Sequence, residues 1–445
     1  MWSSSCLCRL LCSRLVITLA MNRIQVKLVA RRGCVFAFAL LGSFMLAERP
    51  SSAADPSVDS PALAMRDSLR RLVRSAREHA PEVTRSRAAF TASKSAFVRG
   101  GLAPFGNPRL EVTAEGANKD VIKDVSVSGS LWLPVEVSGQ RSSRQREADD
   151  FVALHSVGIE VARASAAARA VRAYGRAVVA VERSNVLAQL QANARAESRM
   201  LSERMASGDA VRRDASLAAA EAARHEIMIA ENEAELISAR GELAELVGEG
   251  GTPLLGPAVP PSLAGQATPE TKPAALPRSR AFLAEARYYD AAAERARREG
   301  SSLLSVGVVA GRGDYGETRI GGGFAYAFPV FRNNQVETAR NEAEGQRART
   351  ERQLFGELAG RRLLVLRNEQ QKLLRALSIL SEVALPAARA AVTAVQETYD
   401  AGKAELLSVL LTRRELSTLS LRRLALFERS WTLVGEYVEI SGDLP

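Results

Sequence analysis

Leu131-Trp132-Leu133-Pro134-Val135-Glu136-Val137-Ser138-Gly139-Gln140-Arg141 is the stretch that decides how this chain folds, because two periodicities meet in it. To its left, Val125, Val127, Gly129, Leu131 and Leu133 alternate with Ser126, Ser128, Ser130 and Trp132. Period two gives a strand with one apolar face. Pro134 cannot donate to a strand ladder and so marks the strand end. To its right, Leu154, Val157, Val161, Ala164, Ala168, Val171, Gly175 and Val178 step by three and four, which is a heptad seam. No proline occurs between Pro134 and Pro253. One helix can therefore run from about residue 138 to 206, roughly 100 Å at 1.5 Å per residue. No compact core needs a rod of that length.

Working outward, Leu110, Val112 and Ala114 alternate with Arg109, Glu111, Thr113 and Glu115, and a polar turn is expected from Gly116 to Lys123. The same sequence of signals returns about 195 residues later, as in a tandem duplication. Pro277 answers Pro81, Pro329 in Tyr326-Ala327-Phe328-Pro329-Val330 answers Pro134, and Gly402 answers Gly208. Residues 301–311 are an apolar run, Arg312 to Gly316 a turn, and Ile320, Gly322, Phe324, Tyr326 and Phe328 alternate with small residues. A second seam runs through Leu363, Leu366, Gln370, Leu373, Leu377, Leu380 and Ala384, and Pro386 is expected to kink that helix or start a new segment. Gly208 and Gly402 mark the reversals of two helical hairpins. Between the copies, Pro253, Pro257, Pro260, Pro261, Pro269, Pro273 and Pro277 exclude a regular helix. The expected organisation is a signal peptide at 1–54, a first repeat at 55–247, a Pro-rich linker at 248–277, a second repeat at 278–440 and a tail at 441–445.

Composition agrees with long helices rather than a bulky core: 47% of residues are hydrophobic but only 5% aromatic. The net charge of +10 is concentrated in the first 54 residues, where Arg9, Arg14, Arg23, Lys27, Arg31, Arg32 and Arg49 face only Glu48. No basic stripe with interleaved aromatics remains to bind nucleic acid. Cys6, Cys8, Cys12 and Cys34 lie in the same leader, which leaves the rest without a disulfide, a thiolate metal site or a cysteine nucleophile. Met21 suits this leader better as a start than Met1. Arg23 to Arg32 is its basic region, Gly33 to Ala47 its apolar run, and Ser51-Ser52-Ala53-Ala54 a cleavage site, the order of an export signal.

No later segment holds about 18 uninterrupted apolar residues, so a membrane span in the exported chain has to be a β-barrel. Four strands per chain cannot close one, since single-chain outer-membrane barrels begin at about eight strands. Exposed strand edges then call for further copies. Trp132, Phe324, Tyr326 and Phe328 are candidates for an interfacial aromatic belt.

Four segments resemble the TolC-type outer-membrane factor family over nearly all of the exported chain. Leu133 to Arg141 and Phe328-Pro329-Val330-Phe331-Arg332-Asn333-Asn334-Gln335 are similar to the strand-to-helix junctions of its heavy-metal and cation efflux branch, the CzcC-like proteins. Gly208 to Asp214 resembles a first hairpin tip. Tyr399-Asp400-Ala401-Gly402-Lys403, followed by Leu407, Val409 and Leu410, resembles a second. The resemblance implies a mainly helical fold with long coiled-coil hairpins, and a homotrimer whose chains give four strands each to a 12-stranded barrel. It also implies a periplasmic adaptor protein at the helical tips and an inner-membrane pump, proton-driven in that branch, with the chain a passive duct for metal cations or small toxic solutes. By carry-over, the tip and adaptor-docking residues are Gly208, Asp209, Asp214, Tyr399, Gly402, Lys403, Ser408 and Leu411. Pro134, Gly139, Pro329 and Asn333 set the junctions. Ser408 and Leu411 stand where members often carry acids, so a three-fold acidic ring from the second hairpin is missing. A type I protein-secretion duct and a non-pore periplasmic coiled-coil scaffold stay open as alternatives.

No catalytic, cofactor or metal constellation is visible. His79, His155 and His225 are scattered and read as solvated helix positions. Gly311-Arg312-Gly313-Asp314-Tyr315-Gly316 spells a dinucleotide fingerprint, but it joins two strands and reads as a turn. The acidic run Glu231 to Glu245 reads as a solvated helix face.

Overall fold

The computed structural model describes residues 61–99, 105–119, 122–208, 212–248, 259–264, 273–301, 304–313, 316–328, 331 and 333–445. The expected signal peptide, Asp209 and Pro329 lie outside the described residues. Helices α1 (Pro61–His79) and α2 (Pro81–Arg99) precede strands β1 (Arg109–Lys119) and β2 (Ile122–Val135). Helices α3 (Gln140–Ala206) and α4 (Arg212–Val247) form the first hairpin. A 3-10 turn, Pro273–Ala275, leads to α5 (Pro277–Glu299), β3 (Leu304–Arg312) and β4 (Thr318–Tyr326). The second hairpin is α6 (Gln335–Ile379), a π turn (Leu380–Ala384), α7 (Leu385–Asp400) and α8 (Leu406–Ser441).

The backbone is punctuated alike in both halves. Left-handed residues cap α3 and α6 at their starts, Gly139 at φ 81° and Asn334 at φ 55°. Others follow the ends of α3 and α7 (Gly208 and Gly402) and of α4 and α8 (Gly248 and Gly442). Pro277 occupies the first turn of α5, where its missing N–H costs nothing. Pro386 begins α7 directly after the π turn, which absorbs the break in the ladder without ending the helix.

Helix α1 carries Leu69, Leu72, Val73 and Ala76 on one buried stripe and ends before Pro81 opens α2. One detail departs from the sequence reading. The turn expected at Gly116 to Lys123 is shorter, because pairing continues through Gly116↔Val125 to Lys119↔Ile122. Gly and Asn are poor strand formers, but the hairpin ladder carries them.

The core centres on α3. Ala164, Ala166, Ala167, Ala168, Ala170, Ala173 and Ala177 are buried, and their small side chains let α1, α2, α4 and α8 approach. Trp431 of α8 lies over Gly175, where a Cβ would come within 2.4 Å of its side chain, and meets Tyr174 edge-on at 5.5 Å. Ion pairs edge these seams. Arg169 contacts Glu82 at 3.3 Å and Glu242 at 3.4 Å, Arg172 contacts Glu439 at 2.9 Å and Arg183 contacts Glu428 at 2.8 Å. Arg176 also pairs with Glu242. Part of the acidic face of α4 is therefore engaged rather than simply solvated.

Where it is described, the linker is docked. Leu263 is buried in the core, and its N–H donates to Gln370 Oε1 at 2.7 Å. Gln370 Nε2 in turn donates to Pro261 O at 2.8 Å and Ser430 Oγ at 3.2 Å. The heptad position held by Gln370 is thus a polar latch, its amide satisfied inside the core.

Candidate functional site

The sheet is one four-stranded antiparallel ribbon in the order β1-β2-β3-β4. β2 and β3, from different halves, pair in the middle, from Val127↔Arg312 to Val135↔Leu304. The outer edges of β1 and β4 have no strand beside them among the described residues. Register and alternation sort the side chains onto two faces. One face carries Leu110, Val112, Leu131, Val306, Val308, Ile320, Phe324 and Tyr326, all exposed, Phe324 at 81%. The other carries Arg109, Glu111, Thr113, Ser126, Ser128, Ser130 and Arg319. An exposed apolar face this extensive, with open edges, marks an interaction surface.

Phe324 and Tyr326 lie on the apolar face, and Phe328 just past it meets Tyr326 edge-on at 4.7 Å. Trp132 does not join them. It shares the serine face, donates from Nε1 to Ser130 Oγ at 3.0 Å, and covers Gly307 and Gly323. A Cβ at Gly307 would meet the indole at 2.5 Å, so the glycine is required by the ring. Strand parity, not aromatic character, fixes where Trp132 faces.

The junctions are held by residues that the sequence reading left out. Gln140 Oε1 accepts from Ser138 N at 3.0 Å, and Gln335 Oε1 accepts from Asn333 N at 3.2 Å, one latch per half. Gln140 also reaches Ser301 Oγ at 3.2 Å. Asn334, the left-handed cap, donates to Ala296 O at 3.1 Å. Pro134 packs on Gly106, whose N–H donates to its carbonyl at 2.9 Å. The repeated Gln, one residue past the left-handed cap in both copies, was the available signal.

At the far ends of the hairpins, Gly402 N donates to Tyr399 O at 2.8 Å and Lys403 N to Thr398 O at 2.9 Å. That double closure is a Schellman motif, and its left-handed residue favours glycine. Gly208 N donates to Met205 O at 3.2 Å in the first tip. The two tips pack together: Leu201, Ala215, Ala218 and Leu406 form a small core with Tyr399, Met200 and Leu410 against it. Arg413 ties it to both neighbours, donating to Glu197 at 2.6 Å and Gln396 at 2.7 Å. Gly402, Lys403, Ser408 and Leu411 are exposed, while Asp214 is paired with Arg213 at 3.1 Å.

Several ionisable groups elsewhere are packed into the helical region. Burial pushes the Glu147 carboxyl up from its ordinary value against the opposing pull of Arg295, 2.6 Å away. His225 is not solvated: it is buried in α4, and burial lowers its pKa. Among the described residues no three His, Cys, Asp or Glu side chains gather as a metal would need. Gly311 and Arg312 end β3, and Gly313 N donates to Glu317 O at 2.9 Å ahead of β4, so Gly313 and Gly316 lie between two strands. One helical stretch within Gln335–Asp400 is long and apolar enough to cross a membrane by length and composition, though it contains Glu382 and Arg389.

No family model and no curated protein sequence matches the chain. Solved structures do. The outer-membrane channel OprN aligns at a TM-score of 0.70 and 17% identity over 85% of this chain and 90% of its own. The outer membrane protein VceC of Vibrio cholerae aligns at 0.68 and 16%, over 86% and 99%. CusC, described for its folding and transmembrane channel formation, aligns at 0.68 and 13%, over 85% and 92%. The chain has the fold of these proteins: long helical hairpins joined to a short four-stranded antiparallel sheet.

Proposed function

We propose that this chain is the outer-membrane exit duct of a tripartite efflux system and a member of the TolC-type outer-membrane factor family, nearest its heavy-metal and cation branch. The observation that carries this is the four-stranded ribbon with an exposed apolar face, a polar reverse face and two open edges. Lipid satisfies the first, a water-filled lumen the second, and neighbouring copies the third. Three copies give 12 strands, the number the family resemblance favours. The helical hairpins then extend into the periplasm, and their paired tips meet an adaptor that links the duct to an inner-membrane, proton-driven pump. The chain does no chemistry and carries no cofactor; the pump supplies the driving force. Metal cations or small toxic solutes are the proposed cargo. At the second tip Lys403, Ser408 and Leu411 are exposed and would meet that partner.

Fractionation, gel mobility and conductance test this reading together. The exported chain is expected in the outer-membrane fraction, as an oligomer whose mobility changes on heating, with ion conductance in planar bilayers. A buffer-soluble monomer without conductance would overturn it. Deleting the gene is expected to lower tolerance to heavy-metal cations or to small toxic compounds, and unchanged tolerance to both removes the efflux cargo.

A further inference from the structure

Within the chain, α8 crosses α3 at a tight point. A Cβ on Gly435 would meet Arg172 Cγ at 2.4 Å and Ala168 O at 3.3 Å, and just beyond it Arg172 Nη1 pairs with Glu439 Oε2 at 2.9 Å. The glycine admits the arginine stem, and the glutamate catches its head. The left-handed caps give the correspondence between halves: Gly139 with Asn334, Gly208 with Gly402, Gly248 with Gly442. Counted from those landmarks, Arg172 answers to Arg367, Gly435 to Gly241 and Glu439 to Glu245. The segment Gly241-Glu242-Leu243-Ala244-Glu245-Leu246-Val247-Gly248 repeats Gly435-Glu436-Tyr437-Val438-Glu439-Ile440-Ser441-Gly442 at both glycines and both glutamates. All three side-chain types of the crossing are present twice.

The second set does not meet inside the chain. α4 and α6 do not pack on each other. A Cβ on Gly241 would meet nothing within 4 Å, and Ile237, the counterpart of the buried Trp431, is 72% exposed. Arg169 is 3.9 Å from Glu245, whose side chain stays 56% exposed. Arg367 donates to Ala264 O at 3.2 Å on the surface. A helix interior gains nothing from glycine unless another backbone or side chain comes close.

We propose that these residues form the seam between copies: α4 of one copy lies on α6 of the next, the Arg367 stem crosses Gly241, and its guanidinium pairs with Glu245. The seam rests on the duct reading and names how the duct's copies join. The occupant is a second copy because the surface has its complement, residue for residue, on the same chain. The seam departs from its template at one place. Gln370 stands where α3 has Gly175, and the linker already covers it, so Ile237 of the next copy meets the linker at Ala264 rather than a bare helix.

Crosslinking in native membranes tests the seam, using the full chain with Cys6, Cys8, Cys12 and Cys34 replaced by serine. Glu245→Cys with Arg367→Cys, joined by a short bis-maleimide because tip-to-tip partners hold their Cβ atoms too far apart for a disulfide, is expected to give a dimer and then a closed-trimer band, and either single cysteine none. Arg172→Cys with Glu439→Cys should crosslink within one chain and give no ladder. Arg367→Glu is expected to loosen the oligomer, and adding Glu245→Arg to restore it. An intact, conducting oligomer that gives no 245–367 ladder overturns the seam and leaves the duct reading standing. A crosslink to a different protein also overturns it. A soluble monomer without conductance removes both.

Discussion

Helix α3 and the α6–π–α7 stretch start from matching left-handed caps, run to matching glycines and carry similar heptad seams, yet their surroundings differ. α3 is enclosed on several sides, and half of its buried positions are alanine. Along the second rod, Leu354, Leu358, Val365, Ile379 and Val383 remain exposed. Equal local structure with unequal burial means that one rod found its partners inside the chain and the other has yet to find them. Under the duct reading, the exposed face of the second rod is where a neighbouring copy packs.

The sharpest test of that contrast is at the α8–α3 notch. Trp431→Ala opens a cavity against Gly175 and Tyr174, and about 3–5 kcal/mol of stability should be lost on thermal or denaturant unfolding. Ile237→Ala, at the corresponding exposed place on α4, should leave the isolated chain within about 0.5 kcal/mol of the parent and weaken only the oligomer. Equal losses in the two variants would dissolve the contrast. Next in size is the contrast between sheet faces. Val308→Arg places a charge on the apolar face and should cost about 2–4 kcal/mol in a lipid bilayer, read as lost heat-resistant oligomer. Ser128→Arg, on the reverse face, should be tolerated and should alter conductance instead.

Smaller effects separate turn glycines from helical ones. Gly402→Ala forces a side chain onto a residue at φ 71° and should destabilise the second tip by about 1 kcal/mol, whereas Gly360→Ala, with open space around it, should stabilise α6 by about 0.5–1 kcal/mol. The smallest concerns acid. Burial holds His225 below its ordinary pKa, so the unfolded chain takes up the proton first as pH falls below about 6.5, and stability is lost in that direction. Glu221, 3.7 Å away, opposes this only in part. His225→Leu, which installs the residue found at the matching position Leu419 of α8, should flatten the fall in melting temperature below that pH.

Periodicity made the rods legible: Leu363, Leu366, Gln370, Leu377 and Leu380 are buried as a seam requires. The hairpins and their reversals at Gly208 and Gly402 were readable for the same reason, since a break in a 3.5 repeat is a local event. Pairing of β2 with β3 was not, because those strands lie far apart in sequence and nothing local records the join. Chemical type groups Trp132 with the other aromatics, but its parity with Ser126, Ser128 and Ser130 assigns it to the opposite face. His225 was read as solvated because a lone histidine among charged neighbours carries no sign of what packs over it. The matching Gly-Glu pattern at 241 and 435 lay in plain view, but its meaning needed the contact between Gly435 and Arg172.

The latch at Gln370 has a bearing on how the molecule is made. Leu263 settles into a core completed by Leu424, Trp431 and Val434, all from the last helix, and Gln370 holds the linker against Ser430. Chains tend to organise from the N-terminus as they emerge, but here the side of α3 that α8 covers stays open until the last helix arrives. Loss of the last helix would therefore leave Gly175 and Tyr174 without Trp431 over them, and Leu263 without the side chains that complete its pocket.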